Sequence, residues 1–207
     1  MTPAGRGPYA GRVLVIGIGN AYRGDDAAGL AVSDRIRVTA PPGIEVLRHE
    51  GEPVSLIDTW DRARAVYLVD AVSSGGEPGS IYRFDATAQP LGAQFSCRGT
   101  HAFGVAETIE LSRALGRLPL QLIGYGIEGR SFGLGTGLSP DARRAVSIAS
   151  ARLLKEVTAG GYPSGVPADT IAGSIRMTRA PHRADLPPSA GPMARGLPRG
   201  QKDGPGS

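Results

Sequence analysis

Three side chains far apart in this sequence, Asp26, Asp70 and His101, have the types to do chemistry together. Two hard oxygen donors and one imidazole, with a position open to water, make a recurring kind of catalytic or substrate-sampling metal site. Such a donor set discriminates weakly among zinc, nickel, iron and manganese, so the residues by themselves leave the ion open. A metal-free acid/base pair of Asp26 and Asp70 is the alternative, and it requires a shared proton or a raised pKa. Cys97 and His101 lie four residues apart across an irregular segment, and no third group is evident to orient the base of a thiol–imidazole pair. No GxSxG elbow is present for a serine hydrolase.

Each candidate is delivered by an element that the sequence announces. In RVLVIGIGNAYRGDDAAG (12–29), β-branched residues on both parities read as a strand buried on both faces, as in a parallel sheet. Gly17 and Gly19 let the chain turn sharply, and Gly24 gives a further flexible point before Asp25 and Asp26. Asp25 is expected to accept hydrogen bonds from the first turn of a helix over 27–38, with Leu30, Ala31, Val32 and Ile36 inward. Asp26 is then left over at the carboxyl end of a central strand, where open α/β sheets bind their ligands. A nucleotide loop fits worse, because GxGxxG needs a glycine where Tyr22 stands and paired acids repel a pyrophosphate.

The apolar run AVYLV (65–69) delivers Asp70 at a second strand end. His101 is expected to open a helix with Thr100 as its N-cap and Val105, Ile109, Leu111 and Leu115 on or near one side. Between these lie a short strand over 44–47 and the segment HEGEP. There Glu50 and Glu52 read as helix N-terminal acids, and Pro53 starts a short helix with Val54, Leu56, Ile57 and Trp60 as its core face. A weaker, alternating strand over 80–84 belongs at a sheet edge, and 118–126 reads as a fifth strand followed by Glu128 and the glycine-rich GRSFGLGTGLSP. Ser139 and Pro140 cap and start a last helix over 141–157, with Ala145, Ile148, Ala149, Leu153 and Leu154 facing in.

Strands alternating with helices define one three-layer α/β domain over 12–158, preceded by a flexible N-terminus, 1–11. From 159 to 207, Gly, Pro, Ser and scattered Arg replace large apolar residues, and a disordered tail is expected. Much of the +4 formal charge and of the pI near 9.6 comes from that tail, so no nucleic-acid partner is inferred. The single cysteine excludes an internal disulfide, and with no apolar run of about 18 residues and no apolar leader, no membrane partner is expected and a cytoplasmic location is.

Taken together and in order, GIGNAYRGDDAAG (17–29), VDAV (69–72) and THAFGVAE (100–107) resemble the hydrogenase maturation proteases, C-terminal endopeptidases for nickel-iron hydrogenases. HEGEP and LIGYGIEG…GLSP are similar to the family's corresponding segments, and the resemblance runs over about 12–157. It implies an α/β/α sandwich around a twisted, mostly parallel five-stranded sheet. It implies an enzyme that removes a C-terminal extension from the hydrogenase large-subunit precursor after nickel insertion, recognising nickel carried by that precursor, with no organic cofactor. Asp26, Asp70 and His101 match the family's metal-binding and catalytic positions, and a monomer is expected. Some members carry Glu where this chain has Asp26, and the family's DDGxG appears here as DDAAG. A non-catalytic nickel-sensing assembly factor that holds the precursor is the alternative reading.

Overall fold

The computed structural model describes residues 12–88, 90–91 and 104–159. Its sheet is built from β1 (Val13–Ile18), β2 (Ile44–His49), β3 (Ala65–Val72), β4 (Ile81–Asp85) and β5 (Gln121–Glu128), in the order β2-β1-β3-β5-β4. The first three neighbouring pairs are parallel, and β4 joins the edge antiparallel to β5. Four helices complete the fold: α1 (Ala28–Thr39), α2 (Pro53–Trp60), α3 (Val105–Ala114) and α4 (Pro140–Thr158). This is the expected three-layer α/β/α architecture, with the weak alternating strand at the edge.

The central strands carry apolar residues on both parities because both faces are covered. On one face Val15, Val69 and Ile123 pack with Val32 and Ile36 of α1 and Ala149 and Leu153 of α4. On the other, Leu14, Ile16, Leu68 and Leu122 pack with Leu56 and Trp60 of α2 and Ile109 of α3. The Trp60 Nε1–H donates to Ser112 Oγ (3.1 Å), which gives the one polar atom of this large core side chain a partner and ties α2 to α3. The inward faces are narrower than the sequence pattern suggests. Val54, Leu111, Leu115 and Ile148, read as core positions, are exposed.

The order of strands creates a switch point. From β1 the chain crosses through α1 to β2, then returns through α2 to β3 on the other side of β1. The two connections leave the sheet in opposite directions, so the carboxyl ends of β1 and β3 border a crevice. Two glycines let α1 sit directly on this point. A Cβ on Gly29 would run into the carbonyl oxygens of Val69 and Ile18, and one on Gly17 into the carbonyl oxygen of Gly29. These obstacles are backbone and cannot rotate away. Gly29→Ala is therefore expected to destabilise the fold by about 3 kcal/mol, read as a lower midpoint in urea unfolding at unchanged slope. A midpoint equal to that of the parent would show that the helix has room to lift.

Candidate active site

The loop after β1 turns at Gly19 and enters a 3-10 turn, Gly24–Ala27, that leads directly into α1. Gly24 has φ +58°, a left-handed conformation that costs a glycine little, and a Cβ there would also press on Thr136 Oγ1 at 2.6 Å. Asp25 and Asp26 both lie in this turn, and both are buried. The backbone N–H of Asn20 donates to Asp26 Oδ2 (3.0 Å), and Asn20 Oδ1 in turn accepts from the N–H of Tyr22 (2.9 Å). Asn20 thus folds the loop around the carboxylate of Asp26.

Asp70 lies inside β3, one residue after the Val69 carbonyl that Gly29 touches, so the fold brings it to the start of α1 and to Asp26. Its Oδ1 accepts from the N–H of Ala71 (2.8 Å). The residue is partly buried. Burial pushes its pKa up to about 7; the Ala71 N–H works against that rise, and the nearby charge of Asp26 adds to it. A carboxyl raised in this way, with a second carboxylate nearby, is relieved by a cation that neutralises it. Among the described residues, no three His, Cys, Asp or Glu side chains gather to hold a metal ion. Asp26 and Asp70 are two of the three candidate donors; His101, together with Thr100 and Cys97, lies outside the described residues. The helix expected to open at His101 begins at Val105, with Gly104 at its N-cap.

Asp25 does something other than the expected capping. The 3-10 turn has no side-chain cap, and α1 has none either. Instead, Asp25 Oδ2 accepts from the N–H groups of Arg130 (2.8 Å) and Ser131 (3.0 Å), and Oδ1 from that of Ser139 (2.6 Å). It has no exposed surface, although it lies shallow, under the loop that covers it. Burial alone would raise its pKa, but the donors of Ser139, Arg130 and Ser131 together outweigh burial and hold it below the ordinary 3.8. The glycine-rich loop between β5 and α4 is thereby fastened to the loop that carries Asp26. Backbone bonds add to the seam: Asp25 N–H to Ser131 O (2.7 Å), Gly24 N–H to Thr136 O (3.1 Å) and Gly135 N–H to Tyr22 O (2.9 Å).

The other strand ends are finished in the same manner. Glu128, buried at the end of β5, accepts from Ser74 N–H (2.8 Å), Gly75 N–H (3.0 Å) and Ser74 Oγ–H (2.6 Å), fixing the loop after β3. Glu52 caps α2 by accepting from Val54 N–H (3.0 Å) and Ser55 N–H (2.7 Å), as the HEGEP segment predicts, and Ser139 caps α4 through Ala142 N–H (3.2 Å). The linking role of Asn20 and the clamp of Glu128 were missed in the sequence. Only their positions at strand ends could have signalled them.

A doubly wound α/β domain with an acidic pair at its switch point is the framework of a ligand-binding α/β enzyme, and the comparisons with known proteins make this more specific. The family model described as HycI, hydrogenase maturation protease, matches residues 39–156, more than half of the chain. This chain belongs to the hydrogenase maturation protease family. Asp70 and His101 fall within the matched stretch and Asp26 precedes it. The hydrogenase 2 maturation protease of Escherichia coli is 27% identical over 161 residues, covering 76% of this chain and 94% of that protein. The hydrogenase expression/formation protein HupD of Bradyrhizobium diazoefficiens is 28% identical over 121 residues, 56% of this chain, and the chain spans 62% of its length. The hydrogenase maturating endopeptidase HybD of Escherichia coli shares the fold at a TM-score of 0.61 and 23% identity, over 72% of this chain and 94% of that one.

Proposed function

We propose that the protein is an endopeptidase that removes the C-terminal extension of a nickel-iron hydrogenase large-subunit precursor once nickel has been inserted. Membership of the family supports the reaction class. The observation that carries the nickel-dependent part is the placing of Asp70 near Asp26 at the sheet's switch point, where burial chiefly, and the charge of Asp26 in smaller part, raise the pKa of Asp70. Such a pair gains most from an incoming cation, so a precursor that already holds nickel is favoured over an empty one.

In this reading, Asp26, Asp70 and His101 complete the coordination of nickel that arrives as part of the substrate. Asp25 keeps the Asp26 loop in place by fastening it to residues 130–139. Peptide hydrolysis then needs a polarised scissile carbonyl or an activated water, with a carboxylate as base. The test uses the full-length precursor with and without nickel. Mass spectrometry is expected to show loss of the C-terminal peptide only in the nickel-loaded sample. Equal cleavage of both samples would remove nickel recognition, and an unchanged mass in both would remove the peptidase assignment.

A further inference from the structure

Two large apolar side chains stand out from the loops beside the acid pair. Tyr22 is 77% exposed and Leu134 is 75% exposed. They belong to loops 112 residues apart in sequence that are joined where Gly135 N–H donates to Tyr22 O (2.9 Å). The chain of contacts continues to the acid itself: Tyr22 N–H donates to Asn20 Oδ1, and Asn20 N–H donates to Asp26 Oδ2. On the other side, the clamp of Asp25 on Arg130, Ser131 and Ser139 holds the Leu134 loop against the same turn.

Single exposed apolar residues are ordinary and need no explanation. These two differ because a backbone hydrogen bond, Gly135 N–H to Tyr22 O, joins the loops that carry them, so less conformational entropy is lost when a partner covers both. Between Tyr22 and Gly24, Arg23 also keeps a buried Nε–H that meets no hydrogen-bond acceptor, an unmet donor within the same rim. We infer that Tyr22 and Leu134 form a preorganised docking rim for an apolar segment of the polypeptide substrate, setting specificity without touching the reacting atoms. The inference rests on the peptidase reading above. A protein substrate that presents a bond to Asp26 and Asp70 must pass over the loops that surround them, and this rim is linked to Asp26 through Asn20.

The test compares Tyr22→Ser, Leu134→Ser and the double variant with Leu120→Ser. Leu120 is 82% exposed just before β5, at the opposite end of the sheet, and serves as a control for loss of surface apolarity. With the nickel-loaded full-length precursor, the double variant is expected to raise KM on the order of tenfold with kcat changed less than twofold, while Leu120→Ser leaves both constants alone. Binding of the same precursor, measured by titration calorimetry, is read in parallel. An unchanged KM and unchanged affinity in the double variant overturn the rim. If the parent protein binds the precursor without cutting it and the double variant loses that binding, the rim stands and the peptidase reading falls.

Discussion

Asp70→Asn is expected to lower cleavage of the nickel-loaded precursor by about a thousandfold while making the protein more stable at pH 8. The loss of activity follows from removing a negative donor from the pair that would hold the cation. The gain in stability follows from the sign of the shift. In the folded chain the Asp70 carboxyl titrates at about 7, above its ordinary 3.8, so the folded state keeps a proton that the unfolded state has released. Its contribution is fully favourable below 3.8, declines as pH rises through the window to about 7, and is unfavourable and constant above. The variant has no such slope. Its thermal midpoint should match that of the parent near pH 4 and exceed it by several degrees at pH 8. Undiminished cleavage by the variant would remove Asp70 from the site, and parallel stability curves would contradict the buried, charge-opposed setting of its carboxyl.

Asp25→Ala has the opposite signature. The substitution leaves the N–H groups of Arg130, Ser131 and Ser139 without their acceptor and is expected to cost about 3–5 kcal/mol, measured by urea unfolding at pH 7. Because Asp25 titrates below 3.8 in the folded state, its stabilisation is present above that pH and is lost as the medium becomes more acidic than the folded-state value. The gap between parent and variant should therefore close in strong acid. Amide exchange at Arg130, Ser131 and Ser139 should rise in the variant at neutral pH, whereas exchange in β3 follows global unfolding alone. Protection that persists at the three amides would mean that the loop is held by something other than this carboxylate. The two neighbouring acids, Asp25 and Asp26, thus take different partners: Asp25 fastens the loop of residues 130–139, and Asp26 accepts from Asn20 N–H.

Much of this arrangement is legible in the sequence, and the exceptions have physical causes. The buried strands are readable because apolar residues on both parities require cover on both faces, and β4 betrays its edge position by alternation. That Asp26 and Asp70 approach each other follows from a topological rule for strand ends, which needs no knowledge of contacts. The partners of Asp25 are another matter. Arg130, Ser131 and Ser139 lie more than a hundred residues away, and a glycine-rich loop announces spare N–H groups without saying which acid will take them. A local cap was the nearest explanation, and the tertiary one prevailed. The full extent of β3 is hidden in the sequence for a related reason. Hydrophobicity falls after Val69, but the backbone pairing with β5 runs on to Val72 opposite Glu128, since a ladder of hydrogen bonds is indifferent to side-chain polarity. The helix faces are narrower than the apolar pattern implies: Leu111, Leu115 and Ile148 fall on the margin of the stripe, where one step of about 100° carries a side chain into water.

The seat of Gly29 against Val69 and Ile18 carries a consequence for how such a centre changes over evolutionary time. A helix resting main chain on main chain has no slack to slide or tilt, so the root of Asp26 is anchored. If Asp26 is a nickel donor, as proposed above, variation in ion preference is channelled into tether length. Exchanging aspartate for glutamate at this position would move the carboxylate oxygens outward by one methylene from an immobile base and, in that reading, alter bite and coordination angle while the scaffold stays as it is.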